Sequence, residues 1–204
     1  MHQSLASSAL PPSLQALAQR IHNKQAVVGI YGLGYVGLPL ALRFAEVGVR
    51  VLGFDIDASK VEQLNAGRSY IERITPADIQ RAQQQGFEAT TDFARTAQVD
   101  ALIICVPTPL NSHREPDLSF ITNTIDAALP YMRSGQLVSL ESTTWPGTTD
   151  EVLAPRLAAY GWQPGANCAL VFSPEREDPG NPHFNTQSIP KVIGVRRRLV
   201  CNWA

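Results

Sequence analysis

The sequence predicts an α/β fold, a doubly wound parallel sheet with helices on both faces. Two observations carry that prediction. Apolar runs of strand length alternate with helical stretches along most of the 204 residues, and the first run leads directly into a glycine-rich turn that opens a helix. Near-continuous apolar strands mark a sheet covered on both sides, and helical connections between them imply parallel pairing.

Taken in order, residues 1–11 are rich in Ser, Ala and Pro and carry no periodic pattern. From Ser13, read as an N-cap, Leu14, Leu17, Ala18 and Ile21 share one face and predict a short amphipathic helix. Strand-length runs follow at "AVVGIY" (26–31), "VRVLGF" (49–54), "ALIICV" (101–106), "QLVSLE" (136–141) and "ALVF" (169–172). A weaker run lies at "FEAT" (87–90), and Lys191–Val195 reads as the start of a further buried strand. Helical stretches close on Gly48, Gly86 and Gly161, each suited to the left-handed C′ position. These boundaries predict an N-terminal extension over residues 1–24, one domain over 25–194 and a distinct tail over 195–204.

The first strand runs into "YGLGYVG", where Gly32, Gly34 and Gly37 fit the G-x-G-x-x-G pattern of a Rossmann-type turn. Gly32 permits the tight exit from the strand, Gly34 lets backbone approach a pyrophosphate, and Gly37 brings the helix close to the sheet. The helix N-terminus then directs free N–H groups and partial positive charge at the anion. The second strand ends at Asp55, where a carboxylate can accept both hydroxyls of an adenosine ribose and repel a 2′-phosphate, which favours NAD over NADP. Asp55 and Asp57 each have a plainer reading as caps of the helix "ASKVEQLN". Pro39, inside the first helix after the turn, is locally unfavourable.

Composition narrows the partners. Seventeen basic against 18 acidic side chains give no electrostatic reason to expect nucleic acid or an anionic membrane. No apolar run reaches the roughly 18 residues of a spanning helix. No Lys or Arg precedes Arg20, which speaks against a secretory leader. Cys105, Cys168 and Cys201 are widely spaced and fit neither a disulfide framework nor a metal site, as expected of a soluble cytoplasmic protein. The four histidines, His2, His22, His113 and His183, read as surface residues.

In an open parallel sheet, ligands sit beyond the carboxyl ends of the strands. The fourth strand is followed by "PTPL" with Thr108 between two prolines, the fifth by "STTWPGTT", and the sixth by "SPEREDPGN". Ser, Thr and Pro also populate ordinary loops. Glu175 is the best-placed candidate for a general base, with pairing to Arg176 or Lys191 as the plain alternative. Cys105 and Cys168 read as inert packing.

Together, "GLGYVGLPLA", "CVPTPL", "REPDLSFI", "ESTTWPGTT", "SPEREDPGN" and "IPKVIG" resemble the N-terminal domain of the UDP-glucose/GDP-mannose dehydrogenase family over roughly residues 14–194. Within it, "SPEREDPGN" with "REPDLS" is most similar to the bacterial UDP-N-acetylglucosamine 6-dehydrogenases. Pro39 belongs to the family pattern as well. The resemblance implies an NAD-dependent oxidation of a sugar C6 alcohol to a carboxylate, through an aldehyde and a cysteine thioester, in making surface polysaccharide precursors. It implies a UDP-sugar substrate, with an N-acetylated hexosamine favoured, and a homo-oligomer for the intact enzyme.

Carried over by position, the resemblance puts Gly32, Gly34, Tyr35, Val36 and Gly37 at the pyrophosphate turn and Asp55 and Lys60 at the adenosine ribose. It puts Thr108 and Thr143 near the nicotinamide, Thr143 and Glu175 in the catalytic set, and Glu175 and Arg176 at the substrate pocket. Family members continue through a connecting helix and a second domain, which supply an active-site lysine and a nucleophilic cysteine in a "GGHC" loop. This sequence contains neither. The resemblance therefore implies a domain truncated before the central helix, inactive alone, with "VRRRLVCNWA" an aberrant tail. A natural basic terminus, a non-catalytic NAD-binding module, and the first domain of another β-hydroxyacid-type dehydrogenase stay open as alternatives.

Overall fold

A computed structural model describes residues 10–110, 112, 114–174 and 192–195. In chain order the strands are β1 (Val27–Tyr31), β2 (Arg50–Phe54), β3 (Phe87–Thr90), β4 (Ala101–Ile104), β5 (Gln136–Leu140), β6 (Cys168–Phe172) and β7 (Gly194–Val195). The helices are α1 (Pro12–His22), α2 (Gly37–Glu46), α3 (Ala58–Asn65), α4 (Pro76–Gln84), α5 (Ser119–Ala128) and α6 (Ala154–Ala159). They form one sheet in the order β3-β2-β1-β4-β5-β6-β7. The pairs from β3 through to β6 are all parallel.

Side chains alternate along each strand, so the sheet feeds two cores. Val28 and Ile30 of β1 join Leu38, Ala41, Leu64 and Ile79 on the face covered by α2, α3 and α4. Tyr31, Leu52 and Ile104 join Ile121, Ile125, Leu153 and Leu157 on the face covered by α5 and α6. Both faces are covered, as the apolar runs require.

The edge departs from expectation. β7 pairs antiparallel with β6, through Val171↔Val195 and Phe172↔Gly194. A short edge strand needs no helical crossover and can return in either direction. Lys191 lies outside the described residues.

α1 begins one residue before Ser13, with Pro11 as N-cap and no side-chain cap. Pro12 takes the first helical position, where its fixed φ suits the helix and its missing N–H costs nothing. Of the predicted apolar face, Leu14 and Leu17 are buried against Ala169, whereas Ile21 is 37% exposed. Gly48, Gly86 and Gly161 do take positive φ at the ends of their helical stretches, at +82°, +100° and +82°.

The wound order reverses between β1 and β4, since the chain runs outward from β1 to β3 and then crosses to start the other half. A crevice opens at such a reversal, beyond the carboxyl ends of the strands.

Candidate functional site

That crevice holds a cavity of about 1110 Å³, lined from the strand ends by Gly34, Asp55, Thr108, Glu141 and Thr143, among others. The glycine turn forms its base. Gly32 has φ +96°, and a Cβ there would sit 3.0 Å from the Cys105 carbonyl oxygen. At Gly37 a Cβ would meet the Gly32 carbonyl oxygen at 1.9 Å, so only glycine lets α2 start this close to the turn. Gly34 differs: a Cβ there would meet nothing within 4 Å and would project into open space.

Among the described residues, the backbone N–H groups of Gly34, Tyr35 and Val36 donate to no protein acceptor. Three free donors at the N-terminus of a 10-residue helix, beside a glycine with open space, fit an anionic diphosphate. Tyr35 is 67% exposed at the rim, and Val36 is the N-cap of α2.

Asp55, 8% exposed, follows β2. Its carboxylate accepts the N–H of Leu33 at 2.9 Å and of Asp57 at 3.0 Å, and Lys60 Nζ stands 3.9 Å away. Asp55 therefore ties the glycine turn to the end of β2 while still lining the cavity. Asp57 caps α3 through the N–H groups of Ser59 and Lys60. Lys60 also lies over the ring of Tyr70, 5.7 Å from its centroid. Burial, reinforced by the charges of Asp55 and Asp57, raises the Tyr70 hydroxyl well above the ordinary tyrosine range.

At the other end, the loops after β4 and β5 are stitched together. Thr108 Oγ1 donates to the Thr143 carbonyl at 2.8 Å, and Ser142 Oγ donates to the Val106 carbonyl at 2.6 Å. The predicted residues Thr108 and Thr143 thus meet, with the Thr143 side chain exposed to the cavity. Glu175 and Arg176 lie outside the described residues.

Several cavity residues escaped the sequence reading. Glu141 is 3% exposed and accepts Ser139 Oγ at 3.3 Å. It is the first residue past β5, a place that the strand-end rule could have marked. Tyr31 and Phe54 stack at 4.3 Å between centroids, with Phe93 tilted against both, and form an aromatic wall. Cys105 lies just past β4, not within it, and lines the cavity. Cys168 is the first residue of β6, and burial pushes its thiol up to about 12.

Among the described residues no His, Cys, Asp and Glu cluster could hold a metal ion, and no helix is long and apolar enough to cross a membrane.

Comparison with known proteins agrees with this geometry. Residues 26–201 match the family model described as the UDP-glucose/GDP-mannose dehydrogenase family, NAD binding domain. The chain is 32% identical over 170 residues to a UDP-N-acetyl-D-glucosamine 6-dehydrogenase of Pseudomonas aeruginosa, covering 83% of this chain and 40% of that protein. It is 34% identical over 181 residues to a UDP-N-acetyl-D-mannosamine dehydrogenase of Pyrococcus horikoshii, covering 87% of this chain and 43% of the relative. The chain thus spans about two-fifths of the length of the curated relatives it matches. Its fold superposes on the crystal structure of an NDP-N-acetyl-D-galactosaminuronic acid dehydrogenase from Methanosarcina mazei with a TM-score of 0.79 at 31% identity, covering 90% of this chain and 42% of that one. A Rossmann-type sheet, a glycine turn with three free N–H groups and a match over residues 26–201 lead to one conclusion: the chain belongs to the UDP-glucose/GDP-mannose dehydrogenase family, and these residues are its NAD binding domain.

Proposed function

We propose that this chain is the NAD-holding part of a nucleotide-sugar 6-dehydrogenase that oxidises the C6 alcohol of a UDP-N-acetylhexosamine to a carboxylate. The observation that carries the cofactor half is the set of free N–H groups at Gly34, Tyr35 and Val36 beside the buried Asp55. NAD, when bound, supplies the hydride acceptor.

The residues of the chain divide the work of holding it. The N–H groups of residues 34–36 bind the diphosphate, with Gly32 and Gly37 setting the turn. Asp55 accepts the ribose hydroxyls and disfavours a 2′-phosphate by charge, with Lys60 standing 3.9 Å from its carboxylate. Thr108 and Thr143, held together by their hydrogen bond, orient the nicotinamide end. The family resemblance assigns Thr143 and Glu175 to catalysis, Glu175 through activation of water, and Arg176 to the edge of the sugar-nucleotide pocket. Neither Cys105 nor Cys168 is assigned the thioester step: both are buried, and the Cys168 thiol, raised to about 12, is protonated at neutral pH.

For the sugar, the motifs "REPDLS" and "SPEREDPGN" favour UDP-N-acetylglucosamine, and relatives named for N-acetylglucosamine and for N-acetylmannosamine both support the N-acetylated class. The setting that fits is the synthesis of surface polysaccharide precursors in the cytoplasm.

Calorimetric titration with NAD and NADP tests the cofactor assignment. Wild type is expected to prefer NAD, and Asp55→Ala to weaken NAD about 100-fold or more, the loss of two hydrogen bonds to a charged acceptor. Equal NAD affinity in wild type and mutant would remove Asp55 from the ribose site.

A further inference from the structure

Residues 33–36 present the two sides of their backbone very differently. Gly34, Tyr35 and Val36 line the cavity, and their N–H groups are free of protein acceptors among the described residues. On the opposite side, every carbonyl from Leu33 to Val36 has a donor. Those of Gly34 and Val36 accept from the N–H groups of Leu38 at 3.1 Å and Leu40 at 3.3 Å, within the first turn of α2. The Tyr35 carbonyl has no such partner, because Pro39 stands four residues on and carries no N–H.

The segment between α3 and α4 serves the two remaining carbonyls. Tyr70 donates its hydroxyl to the Leu33 carbonyl, and Arg73 Nη2 donates to the Tyr35 carbonyl at 3.2 Å. In a trans peptide the carbonyl of one residue and the N–H of the next lie antiparallel in one plane. Fixing the Leu33 carbonyl outward therefore fixes the Gly34 N–H inward, and fixing the Tyr35 carbonyl does the same for the Val36 N–H. The third peptide, Gly34–Tyr35, is held by α2 itself.

We propose that Tyr70 and Arg73 are positioning residues for the dinucleotide. They grip from behind two of the three peptide groups whose N–H ends face the diphosphate, and so set its affinity without touching it. A donor on a carbonyl also polarises its own peptide, which strengthens the N–H at the other end. The segment acts as a brace: Tyr70 is half-buried and keeps its proton at neutral pH, and the Arg73 charge lies one peptide group from the anion site. This role rests on the NAD reading above.

The test uses the whole chain with Tyr70→Phe, Arg73→Gln and Arg73→Lys. Calorimetry reads NAD and ADP, ligand-observed NMR reads adenosine, and a thermal melt reads the fold. Each of the first two variants is expected to raise the Kd of NAD and of ADP about three- to ten-fold, the effect of one hydrogen bond. Adenosine, which lacks phosphate, is expected to hold within about two-fold, and Arg73→Lys to recover part of the loss because an ammonium can still donate to the carbonyl. Unchanged NAD and ADP affinity in both Tyr70→Phe and Arg73→Gln, or adenosine falling in parallel with them, would overturn the proposal. A wild-type chain that binds no NAD would overturn the NAD reading and this role together, whereas normal wild-type binding with unaffected variants would overturn this role alone.

Discussion

At the carboxyl end of β2, Asp55 accepts two backbone N–H groups and has Lys60 no closer than 3.9 Å. At the opposite end of the sheet, Asp100, just before β4, accepts the Val27 N–H at 2.8 Å and pairs with the guanidinium groups of Arg20 at 2.8 Å and of Arg133. Both carboxylates are buried, at 8% and 1% exposure. Asp100 is consumed by the fold: it joins α1, β1 and the approach to β5, and it does not line the crevice cavity. Asp55 keeps the same chemistry but opens on the crevice. A buried acid enclosed by cations serves structure, while one held by backbone donors beside a cavity is left with capacity for a ligand.

The contrast can be broken most directly at Asp100. Asp100→Ala strands the Val27 N–H and takes the carboxylate from Arg20 and Arg133, although Arg133 keeps the carbonyls of Ala97 and Val99. Because both arginines reach solvent, the loss is expected at about 2–3 kcal/mol, below that of a fully enclosed pair, in a urea melt. NAD affinity of the folded protein is expected to stay within about two-fold, and a large fall would erase the division between the two ends.

Gly34→Ala sharpens the other side. Its methyl group enters open space, so the melt is expected to move by less than about 1 kcal/mol. The same methyl occupies the approach to the free N–H groups, and NAD affinity is expected to fall about 10-fold or more by calorimetry. A destabilised protein with intact affinity would place the importance of this glycine in the fold instead.

The smallest effect concerns an acid belonging to neither end. Asp78 completes the capping box of α4 with Thr75, and its hydrogen bond to the Thr75 side chain, then to its backbone, lowers its pKa from 3.8. A lowered folded-state pKa gives stability that is present above 3.8 and lost as the pH falls through the lowered value. For a partly exposed group, Asp78→Asn is expected to cost under about 1 kcal/mol at pH 6 and nothing near pH 2, read by urea melts at both.

Much of this was legible in the sequence because it depends on neighbours in the chain. Apolar runs marked every strand from β1 to β6, and the glycine spacing marked the turn and the reason for Gly37. Contacts across the fold left no such mark. Tyr70 and Arg73 reach residues 37 and 38 positions earlier, and nothing in "RSYIER" announces it. Glu141 read as the end of an apolar run, and the partners of Asp100 come from three distant segments. Pro39, unexplained from local propensity, makes sense once Arg73 is seen to take the carbonyl that its ring leaves unserved. The antiparallel return of β7 was hidden because strand direction is set by the connection, not by the composition of the strand.

The position of β1 has a consequence for biosynthesis. It pairs on one side with β2, a short distance along the chain, but on the other with β4, where Val28 meets Ala101. During translation at about 5–20 residues per second, that second edge waits some 4–15 s for its neighbour. Throughout that interval an apolar strand bordering the future crevice stands open to any stray β-strand nearby, so an interior strand of the finished sheet is, in the nascent chain, an edge in need of shelter.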